Sequence, residues 1–133
     1  MIKKSWILLI LITALTAFLH FYKVDSVPQC FNSDEAAFAY NSYSISQTGK
    51  DEYGKLLPVV LRSFDDYKPA LYTYLVIPSI AVFDLNVFAV RLPSAIFGII
   101  GVLATFFLIR EIFKSSKYKD LFSLLGSFFL AIS

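Results

Sequence analysis

WILLILITALTAFLHF, residues 6–21, carries no charged side chain. At about 1.5 Å of rise per residue it is long enough, as a helix, to cross most of a roughly 30 Å hydrocarbon layer. Lys3 and Lys4 precede it. A basic start before an apolar stretch is also what a secretory signal offers. No small-x-small cleavage site follows, however, and further apolar segments come later, so a retained first transmembrane helix over residues 5–22 is the simpler account. The whole chain agrees: it is 57% hydrophobic and 17% charged over 133 residues, with a mean hydropathy of +0.66. A water-soluble monomer could not bury so large an apolar fraction.

Working outward, residues 23–68 are polar. They hold five basic residues (Lys23, Lys50, Lys55, Arg62, Lys68) against seven acids (Asp25, Asp34, Glu35, Asp51, Glu52, Asp65, Asp66). Lys3 and Lys4 keep the N-terminus cytoplasmic by the positive-inside rule, which sends this acidic loop to the outer face. Within it, residues 33–48 read as a helix. Asn32 or Ser33 serves as N-cap, Asp34 and Glu35 fall in the first turn, and Gly49 suits the position after the last turn. Ala36, Tyr40 and Tyr43 recur at helical spacing, and a helix with such an apolar face beside a span is expected to lie along the membrane surface. Residues 49–54 form a charged turn, and residues 56–61 a short extended stretch broken by Pro58.

Residues 69–83 are apolar, rich in tyrosine and interrupted by Pro78, and form either a re-entrant or a transmembrane helix. A polar break at 84–91 leads to a transmembrane helix over 92–109, a basic connector over 110–120, and the start of a further helix over 121–133, where the sequence stops inside an apolar run. The connector carries Arg110, Lys114, Lys117 and Lys119 against Glu111 and Asp120, and such a segment prefers the cytoplasm. Three full crossings would leave it outside. A re-entrant 69–83 segment resolves the conflict. The expected fold class is all-α: a polytopic helical membrane protein, read as one incomplete membrane domain over residues 1–133, the first part of a longer chain.

Some functions are excluded early. A formal net charge of +2, without a basic stripe interleaved with aromatics, gives no nucleic-acid surface. The lone Cys30 permits neither an internal disulfide nor a multi-cysteine metal site. No Gly-rich phosphate loop, serine nucleophile motif or H-E-x-x-H pattern is present. His20 and Trp6 read as interfacial residues. The acid pair Asp34 and Glu35, Lys68 before Pro69, and Arg91 before Leu92 and Pro93 remain, all ionisable groups near a membrane boundary. Each has a plain alternative. The acids complement a helix dipole, Lys68 snorkels to the interface, and Arg91 anchors a helix end.

Four motifs in order, Asn32-Ser33-Asp34-Glu35, Tyr40-Asn41 with Thr48-Gly49-Lys50-Asp51-Glu52-Tyr53-Gly54, Tyr67-Lys68-Pro69-Ala70-Leu71-Tyr72, and Phe88-Ala89-Val90-Arg91-Leu92-Pro93-Ser94-Ala95, add to this reading. Together they resemble the N-terminal part of polyprenyl-phosphate-dependent glycosyltransferases of the GT-C type, nearest to the aminoarabinose transferase and protein O-mannosyltransferase group. The resemblance runs from Asn32 to about Gly98. It implies a multi-spanning enzyme of the cytoplasmic membrane that moves a sugar, at the outer face, from a lipid-linked phosphate donor to a lipid, glycan or protein acceptor. It also implies Asp34 and Glu35 as the catalytic acid motif, Lys68 as the group facing the donor phosphate, and Arg91, in the family's Arg-Leu-Pro motif, as either phosphate-facing or structural. Asp34 is the residue named for a metal, with Mg or Mn suited by ligand hardness and the cofactor left open. Ala70 stands where the family commonly has a second proline. The competing class is a non-catalytic module of a transporter, flippase or assembly scaffold, in which the acids only cap a helix.

Overall fold

The computed structural model describes residues 2–63 and 66–133. Among them the chain is mostly helical: α1 (Ile2–Phe21), α2 (Ser33–Thr48), α3 (Leu71–Phe83), α4 (Val87–Ile112) and α5 (Lys119–Ala131) are accompanied by strands β1 (Val60–Ser63) and β2 (Asp66–Pro69). Residues 4–21 of α1, and α4, are each long and apolar enough to cross a membrane. The chain divides into two compact units, Met1–Tyr22 with Ser94–Ser133 and Lys23–Pro93. α4 gives its first turns to the second unit and the rest to the first.

In the unit of α1, α5 and most of α4, small residues make the seam. Ser123, Ser127 and Ala131 recur every fourth residue on α5 and are buried. This spacing puts them on one helix face and lets backbones approach closely. Ser127 Oγ donates to the Val102 carbonyl at 3.2 Å. The rings of Phe106 and Phe107 lie 6.1 and 6.2 Å from Trp6, while a side chain on Gly98 would meet the His20 imidazole. The start of α1 therefore lies by the end of α4, and the end of α1 by Gly98, so these helices run antiparallel. Ser5 Oγ donates to Asp120 at 2.9 Å, which sets the start of α5 beside the start of α1. Arg110, 3.3 Å from Asp120, stacks over Trp6. The basic residues of the connector thus gather at the Lys4 end of this unit.

The second unit is built on α2, strands β1 and β2, and α3. α2 occupies the residues read from the sequence as a helix. Asn32 Oδ1 accepts the Glu35 N–H and Glu35 reaches back to the Asn32 N–H, a completed capping box, and Gly49 closes the helix in the left-handed region at φ +72°. Its buried face, however, is Ala37, Ala39, Asn41, Ser42 and Ile45, while Tyr40 and Tyr43 are exposed. The helix packs through small side chains, with Ser42 Oγ donating to the Thr73 carbonyl at 3.0 Å. The aromatic face that the periodicity singled out is left uncovered.

Three further features differ from expectation. Strands β1 and β2 pair antiparallel, Leu61 with Lys68 and Arg62 with Tyr67. α3 continues through Pro78 as one helix. α4 begins at Val87, so the segment read as a polar break supplies its first turns. Asn86 Oδ1 accepts the Ala89 N–H at 2.9 Å, the N-cap geometry that starts a helix there. The charged turn is fixed from α2, since buried Asn41 donates to Glu52 Oε1 at 3.2 Å and accepts the Glu52 N–H at 3.0 Å. Asp51 Oδ1 accepts the N–H groups of Tyr53 and Lys55. This accounts structurally for Asn41, Asp51 and Glu52 in the second of the quoted motifs.

Candidate functional site

All four sequence-selected residues lie in the second unit, where they form two ion pairs. The first is closed. Arg91, at 8% exposure, places Nε 2.8 Å from Glu35 Oε1 and Nη2 3.0 Å from Oε2, the two-pronged geometry that suits guanidinium to carboxylate. Its remaining N–H groups donate to the carbonyls of Val24, Val27 and Pro28 at 2.8 to 3.3 Å. Every donor is engaged with protein, so this guanidinium clamps residues 24–28 and the head of α2 to the first turns of α4. Glu35 is equally committed, between Arg91 and its own capping box.

The hydrogen bond from Arg91 holds the Glu35 carboxyl below its ordinary value of 4.5, with the Asn32 N–H helping and burial opposing. A carboxyl whose folded-state pKa is depressed contributes stability that is complete above the unfolded value and is lost as pH falls through the folded one. Titrating detergent-solubilised protein from pH 7 downward is therefore expected to lower the unfolding midpoint once pH drops below 4.5. Glu35→Gln is expected to remove that component of the slope; an unchanged slope would detach Glu35 from the effect.

The second pair is open. Lys68 Nζ lies 3.3 Å from Asp34 Oδ1 and 3.0 Å from Asp66 Oδ2, with the lysine side chain only 12% exposed and the two acids 58% and 69% exposed. Asp34 comes from the first turn of α2, Lys68 and Asp66 from β2. Alternation along a strand puts residues two apart on one face, which aims Asp66 and Lys68 together. The hydrogen bond to Asp66, followed by that to Asp34, raises the Lys68 pKa, so the group is cationic throughout the physiological range. Lys68 in turn lowers the carboxyl of Asp66, which also accepts the Tyr67 N–H.

Asp66 was not selected from sequence. Its signal is the two-residue spacing to Lys68, which has meaning only once residues 66–69 are known to be a strand. Among the described residues no three His, Cys, Asp or Glu side chains converge as a metal site. Asp34 and Asp66 are both engaged with the Lys68 ammonium. Chemically the open pair offers an accessible carboxylate that can take a proton and a half-hidden cation that can meet a phosphate. Comparison with family models, with curated proteins and with solved structures finds no match.

Proposed function

We propose that residues 23–93 form the outer-face part of the active site of a membrane glycosyltransferase, one that moves a sugar from a polyprenyl-phosphate donor to an acceptor hydroxyl. The observation that carries this reading is the open pair, in which exposed Asp34 and largely covered Lys68 lie 3.3 Å apart. Transfer breaks the bond between the anomeric carbon and the phosphate oxygen and forms one to the acceptor oxygen. Negative charge grows on the departing phosphate, where Lys68 compensates it. The acceptor hydroxyl loses its proton, and Asp34 takes it.

The pair also gives the site an order of events. Before the donor arrives, Asp34 is tied to Lys68; a phosphate competing for the ammonium releases the carboxylate for its role as base. Asp66 keeps the ammonium aimed while Asp34 is free. Glu35 and Arg91 position this chemistry, since they fix the head of α2 on which Asp34 stands. Asp34→Asn in the full-length protein tests the reading: lost transfer with membrane insertion intact supports it, and retained transfer ends it.

The second reading, a non-catalytic membrane module, is favoured by one observation: the capping box and the Arg91 clamp account for Glu35 without chemistry. It does not account for a lysine held between two exposed acids.

We place the protein in a cytoplasmic membrane with residues 23–86 outside. The antiparallel α1 and α4 support a return of the intervening segment to one side, which makes α3 interfacial and not a crossing. The basic connector and Lys4 then lie on the cytoplasmic side. With Cys30 replaced by serine, a cysteine introduced at exposed Ser115 is expected to resist a membrane-impermeant thiol reagent in intact cells. Labelling there would reverse the orientation.

A further inference from the structure

The paired strands have two unlike faces. Leu61 and Ser63 point inward and are buried, while Val60 and Arg62 on β1, with their partners Pro69 and Tyr67 on β2, are exposed. In the turn before β1, Leu56 is 65% exposed, Leu57 59% and Val59 81%. Four large aliphatic side chains within five residues, with Tyr67 and Tyr53 at the margin, are uncovered in a polar part of the chain. Uncovered apolar patches of this kind mark a surface that meets something apolar.

The backbone supports the same conclusion. Leu57 sits at φ +41°, a left-handed conformation that is a true outlier for a bulky residue. It is kept there by its N–H bond to the Gly49 carbonyl at 2.9 Å, and next to it Pro58 is buried and accepts the Tyr74 hydroxyl at 2.9 Å. The turn spends strain to send its proline inward and its leucine outward.

The margin identifies the occupant. Lys50 and Lys55 are exposed beside the patch, and the Arg62 guanidinium lies 5.3 Å over the Tyr53 ring. Aliphatic tips ringed by tyrosine and basic side chains match the boundary between lipid headgroups and acyl chains, with phosphates complementing the cations. We propose that residues 56–60 and the outer face of the paired strands are a docking surface for an anionic lipid bilayer, an anchor that holds this part of the chain against the membrane. The inference needs only a chain seated in a membrane and is independent of sugar transfer.

The test uses the chain with Cys30→Ser and a single cysteine at Val59 or, separately, at Leu56. Each is labelled with an environment-sensitive fluorophore and reconstituted into vesicles of phosphatidylcholine and phosphatidylglycerol. Docking predicts blue-shifted emission at both positions, loss of emission with doxyl-labelled phosphatidylcholine, and little loss with aqueous iodide. Lys50→Gln and Lys55→Gln should each lower the docked-to-undocked ratio by roughly fivefold in these vesicles, and leave it unchanged in pure phosphatidylcholine. Quenching by iodide at both positions would overturn the proposal, as would protection from both quenchers, which would mean that protein covers the patch.

Discussion

Asp34→Asn in the full-length protein is expected, on the proposed function, to lower the rate of sugar transfer by about 10²–10⁴-fold, the range for loss of a positioned general base. Asparagine keeps the shape and hydrogen-bonding reach of the side chain but cannot accept the acceptor's proton. The position is more than half exposed, and the cap of α2 is made by Asn32 and Glu35, so folding and insertion should not change. Lys68 retains Asp66 as a partner, and the proposed donor phosphate would no longer compete with a carboxylate at position 34. The loss should therefore fall on kcat, with the donor KM unchanged or lower. A defect confined to KM would assign Asp34 to donor binding. Retained kcat would reduce it to a first-turn acid favoured by the helix dipole.

Arg91→Ala is expected to produce the largest loss of stability, about 3–5 kcal/mol, the range for removing one partner of a buried ion pair. The variant leaves the Glu35 carboxylate with only the Asn32 N–H and takes the guanidinium donors from the carbonyls of Val24, Val27 and Pro28. Arg91→Lys should recover only part, because an ammonium cannot reproduce the two-pronged contact and still reach the carbonyls. The measurement is the unfolding midpoint in detergent alongside the amount of protein inserted. An Arg91→Ala protein that is fully stable but has lost affinity for polyprenyl phosphate would move Arg91 from the clamp to the substrate.

These assignments show which features local sequence carries. The limits of α2 were legible because Asn32, Glu35 and Gly49 are local signals that act within a few residues of the helix ends. Its packing face was not. The side chains that bury are small or polar, Ala37, Asn41 and Ser42, and they bury because α3 and the charged turn supply partners distant in sequence. The paired strands are not legible, because two strands of four residues give a period-2 pattern too short to distinguish from a loop, and without the pairing nothing links Asp66 to Lys68. Arg91 looked like a boundary because a cation inside an apolar helix is costly. Glu35 and three carbonyls meet that cost from more than fifty residues away, and nothing beside Arg91 announces them. The acids and cations themselves were all visible. What the structure adds is their pairing: Glu35 with Arg91 as a closed clamp, Asp34 with Lys68 as an open pair.

The open pair is the centre of the account, and its most direct test is the affinity of purified full-length protein for polyprenyl phosphate, compared between wild type and Lys68→Ala. Loss of a charge-assisted contact should weaken binding by roughly ten- to a hundredfold. Equal affinity in the two proteins would contradict the role of Lys68 as the phosphate-facing cation.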